Sequence, residues 1–402
     1  MRPLSRISLS LRPLLRLLAV SLCLGGAARA QTDKASAPIP PATLALIKAK
    51  GSSAEAPILI RAYKKESEIE LWKRTGNGRF VFVKTYPICR WSGQLGPKTK
   101  NGDRQTPEGF YTVAKSQMNP NSHYYLSFDV GYPNAFDKAH GYTGSAVMVH
   151  GICSSMGCFA MTDAVAGELF AVAREAFAGG QAAFQFQSFP FRMTAANMAR
   201  YRSDTNIAFW RQLKEGSDRF EATGQEPAVS VAAGRYAFAP LKDKDQEALA
   251  GARVKEEAAH VAHLVEDGAP AIRTTYSDGG QHPFWAALIN RGVPVGEVSR
   301  PEALAYAGQE VVLIPARRKP PPILPLPEAV WSVAIGPGAP LSSIRTLGFV
   351  PPQDRPSSRF DFDLASTYAV GLPRLVRVAL DDKASVPTFR GTTAIADAVA
   401  QW

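Results

Sequence analysis

Cysteine and histidine are scarce in this chain of 402 residues, which contains four cysteines and six histidines. Clusters of these two residue types are the usual ligands of zinc. His260 and His263 have the i, i+3 spacing of a helical ligand pair, but the pattern His-Glu-x-x-His is absent and no further cluster follows. We interpret the pair as a solvated helix face, and we predict no metal and no other cofactor.

An apolar run long enough to cross a bilayer is missing at the N-terminus. The apolar stretch at residues 17–24 lies between Arg16 and Arg29 and falls short of the roughly 20 residues that a spanning helix needs. It follows basic residues and precedes Ala28-Arg29-Ala30, which is typical of a secretory signal peptide cleaved after Ala30. We expect export to the periplasm, with no stable membrane span in the mature chain.

The formal net charge is +11, and removal of residues 1–30, which contain five arginines and no acidic residue, leaves a moderately basic chain. Such a charge suits anionic wall polymers or membrane surfaces, and it is equally compatible with an ordinary soluble surface. No basic stripe interleaved with aromatic residues is present. We therefore expect no nucleic-acid partner.

His150 and Cys158 are the two residues that most clearly indicate chemistry. The apolar run 147–149 predicts a buried strand that ends at His150, and a Ser/Gly loop leads to Cys158. A helix is predicted over 162–178, with good capping residues at its start. A cysteine just ahead of a helix N-terminus and close to an imidazole should have a lowered pKa and be partly thiolate at neutral pH.

Taken alone, these residues also fit an ordinary core histidine and a small hydrophobic cysteine, or a disulfide between Cys153 and Cys158. The surrounding Ser155-Met156-Gly157-Cys158 and a segment upstream favour catalysis. That segment contains Gly102-Asp103, followed by Thr106-Pro107 and Gly109, which together form the pattern Gly-Asp-x-x-Thr-Pro-x-Gly. Turn formers here precede a predicted strand at 110–113.

The two segments together resemble the L,D-transpeptidase catalytic domain (YkuD-type) family, and within it the YafK-like subgroup. The resemblance covers roughly residues 57–225. Most members carry Ser-His-Gly-Cys, whereas Met156 stands here at the place of that histidine. The family histidine therefore corresponds to His150, and the short loop between His150 and the cysteine narrows the resemblance to the subgroup.

The resemblance implies acyl transfer in two steps. Cys158 is expected to be the nucleophile and His150 the proton donor and acceptor, while the Gly151 carbonyl orients the imidazole. The backbone N–H groups of Gly157 and Cys158 are the expected oxyanion donors, and Ser155 is expected to shape the loop. Further candidates for contact with substrate are Ser155, Met156, His140, Tyr142 and Arg104.

Three functions remain open from the sequence. The first is a transpeptidase acting on peptidoglycan stem peptides, the substrate class implied by the resemblance. The second is an L,D-endopeptidase or hydrolase that cleaves crosslinks or releases a wall-attached outer-membrane protein. The third, from another class, is a wall-binding scaffold without turnover.

If Cys158 is the nucleophile, Cys89 and Cys153 form a possible disulfide in an oxidising compartment. The competing interpretation is a Cys153–Cys158 redox pair, which would block catalysis. YafK-like proteins look similar in having both Cys89 and Cys153, which favours the first pairing.

Alternation and turn spacing predict an α+β fold with a β-rich catalytic domain and flanking helices. We expect the signal peptide to be followed by further segments with distinct roles. These are a linker at 31–56, the catalytic domain at 57–190, a helical extension at 191–226, and a C-terminal region of unknown function at 227–402 with a proline-rich linker near 317–327.

Overall fold

The computed structural model describes residues 33–296, 298 and 308–317. The predicted signal peptide at 1–30 lies outside the described residues, as does nearly all of the proline-rich run at 317–327 and the chain that follows it. Helices and sheets are mixed along the described chain, as the α+β prediction requires. No helix within the described ranges is long and apolar enough to cross a membrane.

The centre of the fold is a five-stranded sheet in the order β3-β2-β1-β9-β4. Strands β1 and β9 run parallel, whereas the other neighbours are antiparallel. The apolar residues of β1 are buried on both faces, because helices and loops cover the sheet on each side. The strands are β1 (Ile58–Tyr63), β2 (Glu68–Arg74), β3 (Phe80–Pro87), β4 (Gly109–Ala114) and β9 (Ala183–Phe189).

A smaller four-stranded sheet carries the residues of chemical interest. Its order is β5-β6-β7-β8, with β7 and β8 parallel. Phe128 of this sheet meets Phe184 and Phe186 of the central sheet edge to face, so the two sheets share one core. The strands are β5 (Met118–Asn119), β6 (Ser127–Asp129), β7 (Met148–His150) and β8 (Phe159–Ala160).

The helices pack around these sheets. Helix α3 presents Val165, Leu169 and Val172 to the core, which is the spacing expected for one buried face. The helical extension predicted at 191–226 contains two helices, α4 and α5, separated by a turn. The first five helices are α1 (Pro41–Ala49), α2 (Ala135–Ala139), α3 (Asp163–Ala178), α4 (Ala195–Arg200) and α5 (Ile207–Thr223).

Residues 41–49 differ from the linker expected over 31–56, since they form helix α1. Proline at its first position has the backbone angle a helix start requires, and Ile47 and Thr43 are buried. The Thr43 hydroxyl donates to Glu168 of α3, which ties α1 to the domain. The Ala/Pro/Lys-rich composition of residues 31–56 favours a linker, because composition does not show these tertiary contacts.

The residues that the structure describes beyond 227 pack on the same body. Lys214 of α5 pairs with Glu257 of the next long helix at 2.7 Å, and Tyr236 of a hairpin stacks on Phe136. The remaining elements are β10 (Val229–Ala232), β11 (Arg235–Phe238), α6 (Lys244–Glu266), β12 (Ala271–Thr275), α7 (Pro283–Asn290) and β13 (Gln309–Ile314).

Candidate active site

His150 and Cys158 are neighbours across two adjacent strands. In the parallel pairing of β7 with β8, Val149 lies opposite Phe159 and His150 opposite Ala160. Continuing this register by one residue places Cys158 beside Met148. Because side chains alternate along a strand, His150 and Cys158 emerge on the same face. The sequence prediction that a strand delivers His150 at its end is confirmed.

The imidazole of His150 is held by its own loop. Its Nδ1 lies 2.5 Å from the Gly151 carbonyl oxygen, so this nitrogen carries the proton and Nε2 keeps its lone pair. The ring is 3% exposed and packs against the Tyr124 ring at 4.8 Å. Burial lowers the pKa of His150, which therefore remains neutral at neutral pH.

Cys158 is half-buried and unpaired, with its sulfur facing backbone groups. Met148 N–H donates to Sγ at 3.4 Å, and Sγ lies 3.8 Å from the Ala146 carbonyl oxygen. Burial raises the pKa of the Cys158 thiol, and the Met148 N–H opposes that rise only in part. The expected lowering of this pKa is therefore wrong, because β8 separates Cys158 from the start of α3 at Asp163.

Ser155 is the hub of the cysteine loop. Its hydroxyl donates to the Cys158 carbonyl at 2.8 Å and accepts from the N–H groups of Gly157 and Cys158 at 3.2 and 3.1 Å. Ser92 Oγ lies 3.1 Å away. The two N–H groups expected to bind an oxyanion are thus directed at this hydroxyl. Ser155 is 2% exposed, which is consistent with the loop-shaping role, and its suggested contact with substrate stays a prediction.

Two glycines of the loop disfavour any residue with a side chain, for different reasons. At Gly157 the reason is the backbone angle, and at Gly151 it is the lack of space. Gly157 has φ +126°, in the left-handed region that favours glycine. A Cβ on Gly151 would lie 2.6 Å from Asp163 Oδ1 and 2.8 Å from the Tyr125 Cβ. Asp163 in turn accepts from Ile152 N–H at 2.8 Å, which fixes the turn after His150.

The segment 102–109 braces the cysteine loop from one side. Thr106 Oγ1 donates to the Cys158 carbonyl at 3.2 Å and accepts from Ser92 N–H at 3.1 Å. Behind it, Glu108 is fully buried and pairs with Lys64 at 2.9 Å. Trp210 Nε1 also donates to Glu108. Because a buried charge needs full pairing, this network holds the second half of the segment in place.

A disulfide joins Cys89 to Cys153, with 5.3 Å between their Cα atoms. The pairing favoured by the sequence is therefore the one present, and Cys158 stays free. Arg90, which follows Cys89, exchanges backbone hydrogen bonds with Ala160 just after the cysteine loop. The disulfide thus fixes the loop at Cys153, and the backbone pairing with Arg90 fixes the chain at Ala160.

The remaining predicted contact residues lie at different places. Met156 stands at the tip of the cysteine loop and is 71% exposed. Arg104 has its backbone against Gly157. His140 caps the C-terminal end of α2 and contacts the rings of Phe136 and Tyr142. His140 and Tyr142 therefore lie together at that end of α2. Contact of these residues with a substrate stays a prediction.

Several residues that position the site were not identified in the sequence. Ser92 and Thr106 reach the cysteine loop from the preceding segment, and Tyr124 packs on the imidazole. Asp278, which is distant in the sequence, contacts Arg104. Thr106 belongs to the Gly-Asp-x-x-Thr-Pro-x-Gly pattern, so the sequence contains an indication of its role. No local pattern indicates the roles of Ser92, Tyr124 and Asp278. Within the described part of the chain, no group of His, Cys, Asp and Glu is arranged to hold a metal ion.

Comparison with known proteins identifies the family of the chain. The family model for the YkuD L,D-transpeptidase catalytic domain matches residues 59–178. YafK of Escherichia coli (strain K12), named as a candidate L,D-transpeptidase, is 44% identical over 181 residues, which are 45% of this chain and 73% of YafK. The protein of the same name in Escherichia coli O157:H7 matches equally. The chain belongs to the L,D-transpeptidase family.

Solved structures give only distant matches. Pgp2 of Campylobacter jejuni, described as a helical cell shape determining protein, is 14% identical with a TM-score of 0.27, covering 58% of this chain and 80% of Pgp2. Bd1075 of Bdellovibrio bacteriovorus is 16% identical with a TM-score of 0.23, covering 55% of this chain and 75% of Bd1075. Membership of the L,D-transpeptidase family therefore depends on the family model and YafK. It assigns a peptidoglycan-related, transpeptidase-like enzyme class to the domain.

Proposed function

We propose that this protein is an exported cysteine-dependent L,D-transpeptidase that acts on peptidoglycan stem peptides through a thioester on Cys158. The observation that carries the proposal is the imidazole of His150, which is fixed through Nδ1 by the Gly151 carbonyl. Its other nitrogen is left as a base on the strand face that Cys158 shares. Family membership supports the substrate class. Export is supported by the pattern of residues 1–30 in the sequence.

The resting pair is a neutral thiol and a neutral imidazole, so attack requires proton transfer. His150 Nε2 takes the thiol proton as Sγ bonds to the carbonyl carbon of the stem peptide. The resulting oxyanion needs backbone donors, for which the N–H groups of Gly157 and Cys158 must exchange Ser155 Oγ for the substrate oxygen. Collapse breaks the C–N bond, and the leaving amine takes the proton from His150.

An acceptor then attacks the carbonyl carbon of the thioester. An amine from a second stem peptide gives a new crosslink after His150 removes its proton, whereas water gives a shortened stem. The same attack on the bond between a stem and a wall-attached outer-membrane protein would release that protein. The chemistry at Cys158 is shared by these reactions, which differ only in what enters the site.

The test is to incubate the purified mature protein with muropeptides and to measure its intact mass. A covalent stem-peptide adduct on Cys158 is expected, and Cys158→Ala should abolish it. His150→Ala should lower the rate of adduct formation by about a hundredfold or more. His263→Ala is the matched control, since His263 lies on the exposed face of α6 and should leave the rate unchanged.

The products distinguish the reactions. New crosslinks in the muropeptide mass spectrum mean transfer, and shortened stems or freed attached protein mean hydrolysis. If no adduct forms at Cys158 and binding to wall material persists in Cys158→Ala, the protein is a wall-binding scaffold and the proposal is wrong.

A further inference from the structure

Residues 276–282, which we name the strap, lie outside the stretch that matches the family model but pack on residues 91–93 and on Cys153 of the cysteine loop. Gly280 exchanges two backbone hydrogen bonds with Trp91, at 3.0 and 3.1 Å. Gly279 N–H donates to the Gly93 carbonyl at 2.7 Å, and a Cβ on Gly279 would lie 2.0 Å from the Trp91 oxygen. The strap therefore fits this groove only with glycine at its centre.

Asp278 of the strap is 6% exposed and faces two arginines. Its Oδ2 lies 3.3 Å from Arg90 Nη2 and 3.4 Å from Arg104 Nη2, and its Oδ1 accepts from Gly93 N–H at 3.3 Å. Arg90 is buried, whereas the Arg104 side chain is 40% exposed. Arg104 therefore presents exposed N–H groups next to the carboxylate that it shares with Arg90.

Arg104 lies beside the nucleophile. Its backbone carbonyl carbon is 3.9 Å from where a Cβ on Gly157 would stand, so the two segments are in contact one residue away from Cys158. Arg104 itself has φ +57°, a conformation that a residue with a side chain rarely adopts. The ion pair with Asp278 and the packing on Gly157 together hold Arg104 in that conformation.

We propose that Arg104 binds a carboxylate of the donor stem peptide beside Cys158, and that Asp278 is the positioning residue that holds Arg104 there. A planar guanidinium with exposed N–H groups is well suited to a carboxylate, which it contacts through paired hydrogen bonds. This inference depends on the proposed function for its substrate, but the anion site itself can be tested without turnover.

The first experiment compares two synthetic tetrapeptide donors, one ending in a free carboxylate and the other in a carboxamide. The unmodified protein should prefer the carboxylate donor. Arg104→Gln should lower kcat/KM for that donor by about tenfold or more, mainly through KM, and leave the carboxamide donor nearly unchanged. Asp278→Asn should act in the same direction, because Arg104 loses its anchor. Equal losses on both donors would mean a purely structural role and would overturn the proposal.

The second experiment measures alkylation of Cys158 by iodoacetate and by its neutral counterpart, iodoacetamide. The ratio of the two rates should fall by about threefold or more in Arg104→Gln, since the cation that attracts iodoacetate is gone. Arg211→Gln, which removes an exposed arginine on α5, is the matched control and should not change the ratio. A fall in the ratio without turnover of either donor would support the anion site and refute the proposed function. An unchanged ratio would refute the anion site.

Discussion

Cys158 and His150 form a site in which neither group is charged at rest. Burial raises the pKa of the thiol above its usual 9.0 and lowers that of the imidazole below its usual 6.5. A pre-formed thiolate–imidazolium pair would need both shifts to have the opposite sign. The nucleophile is therefore expected to be activated during attack by proton transfer, and not beforehand.

This gives a pH dependence with a definite sign. The thiolate is the form that reacts with iodoacetamide, and a raised pKa means less thiolate at every pH below about 9 than an ordinary cysteine has. We expect the labelling rate of Cys158 to be slow at pH 7 and to keep rising above pH 9, as measured by intact mass at a series of pH values. A rate that is already maximal below pH 7 would contradict it. Cys158→Ala gives the background.

Ser155 is the polar residue on which the loop depends most directly. Ser155→Ala removes the acceptor shared by Gly157 and Cys158 N–H and the donor to the Cys158 carbonyl. We expect a loss of about 1–3 kcal/mol in the free energy of unfolding, because buried polar groups lose their partner. Urea unfolding measures the loss, and Ser154→Ala, at the neighbouring half-buried serine, should have a smaller effect. Equal effects of the two variants would contradict the hub role.

The sequence predicts which residues form the site better than it predicts the pKa of the Cys158 thiol. The strand ending at His150 and the glycine-containing loop to Cys158 follow from apolar runs and turn residues, and the structure has both. The pKa of Cys158 could not be predicted, since it depends on burial by β6, β7 and the segment 102–109. These contacts join residues that are distant in sequence, so no local pattern reports them.

Among the secondary-structure elements, helix α3 and strand β4 lie within one residue of the bounds predicted at 162–178 and 110–113, because capping or turn residues mark where each apolar pattern starts. Helix α1 was missed because only its buried Ile47 and Thr43 stabilise it. The C-terminal end of α5 shows the opposite case. Gly224 in the left-handed region ends that helix where the sequence predicts a boundary.

The disulfide links Cys89, two residues after the end of β3, to the cysteine loop, and it spans 64 residues of sequence. Opening it should lower the free energy of unfolding by about 2–4 kcal/mol, since the unfolded chain regains the freedom of that long loop. A thermal melt with and without dithiothreitol is expected to show a lower Tm on reduction. Cys158→Ala should show the same drop, and Cys153→Ala should show none. A Tm that does not respond to dithiothreitol would contradict the bridge.

At the scale of the whole molecule, the family domain and the described residues that follow it, 179–296 and 308–317, form a single packed body. The strap reaches the cysteine loop, and α6 lies along α5, where Lys214 bridges Asp218 and Glu257 at 2.5 and 2.7 Å. All three side chains are largely buried, so they stabilise the fold only while paired. The contacts place the described residues beyond 227 in the same unit as the site, although their sequence contains no recognisable motif.

Glu257→Ala tests this coupling. It leaves Lys214 with Asp218 alone, and we expect a loss of about 1–3 kcal/mol in the free energy of unfolding. The pairing also lowers the pKa of Glu257 below its usual 4.5. A carboxyl with a lowered pKa contributes stability above its unfolded pKa and loses it as the pH falls, so the difference from the unmodified protein should shrink below pH 4.5. Urea unfolding at pH 7 and pH 4 measures both effects, with the exposed neighbour Glu256→Ala as control. A loss confined to a separate, early transition of α6 would show that the helix unfolds independently of the catalytic body.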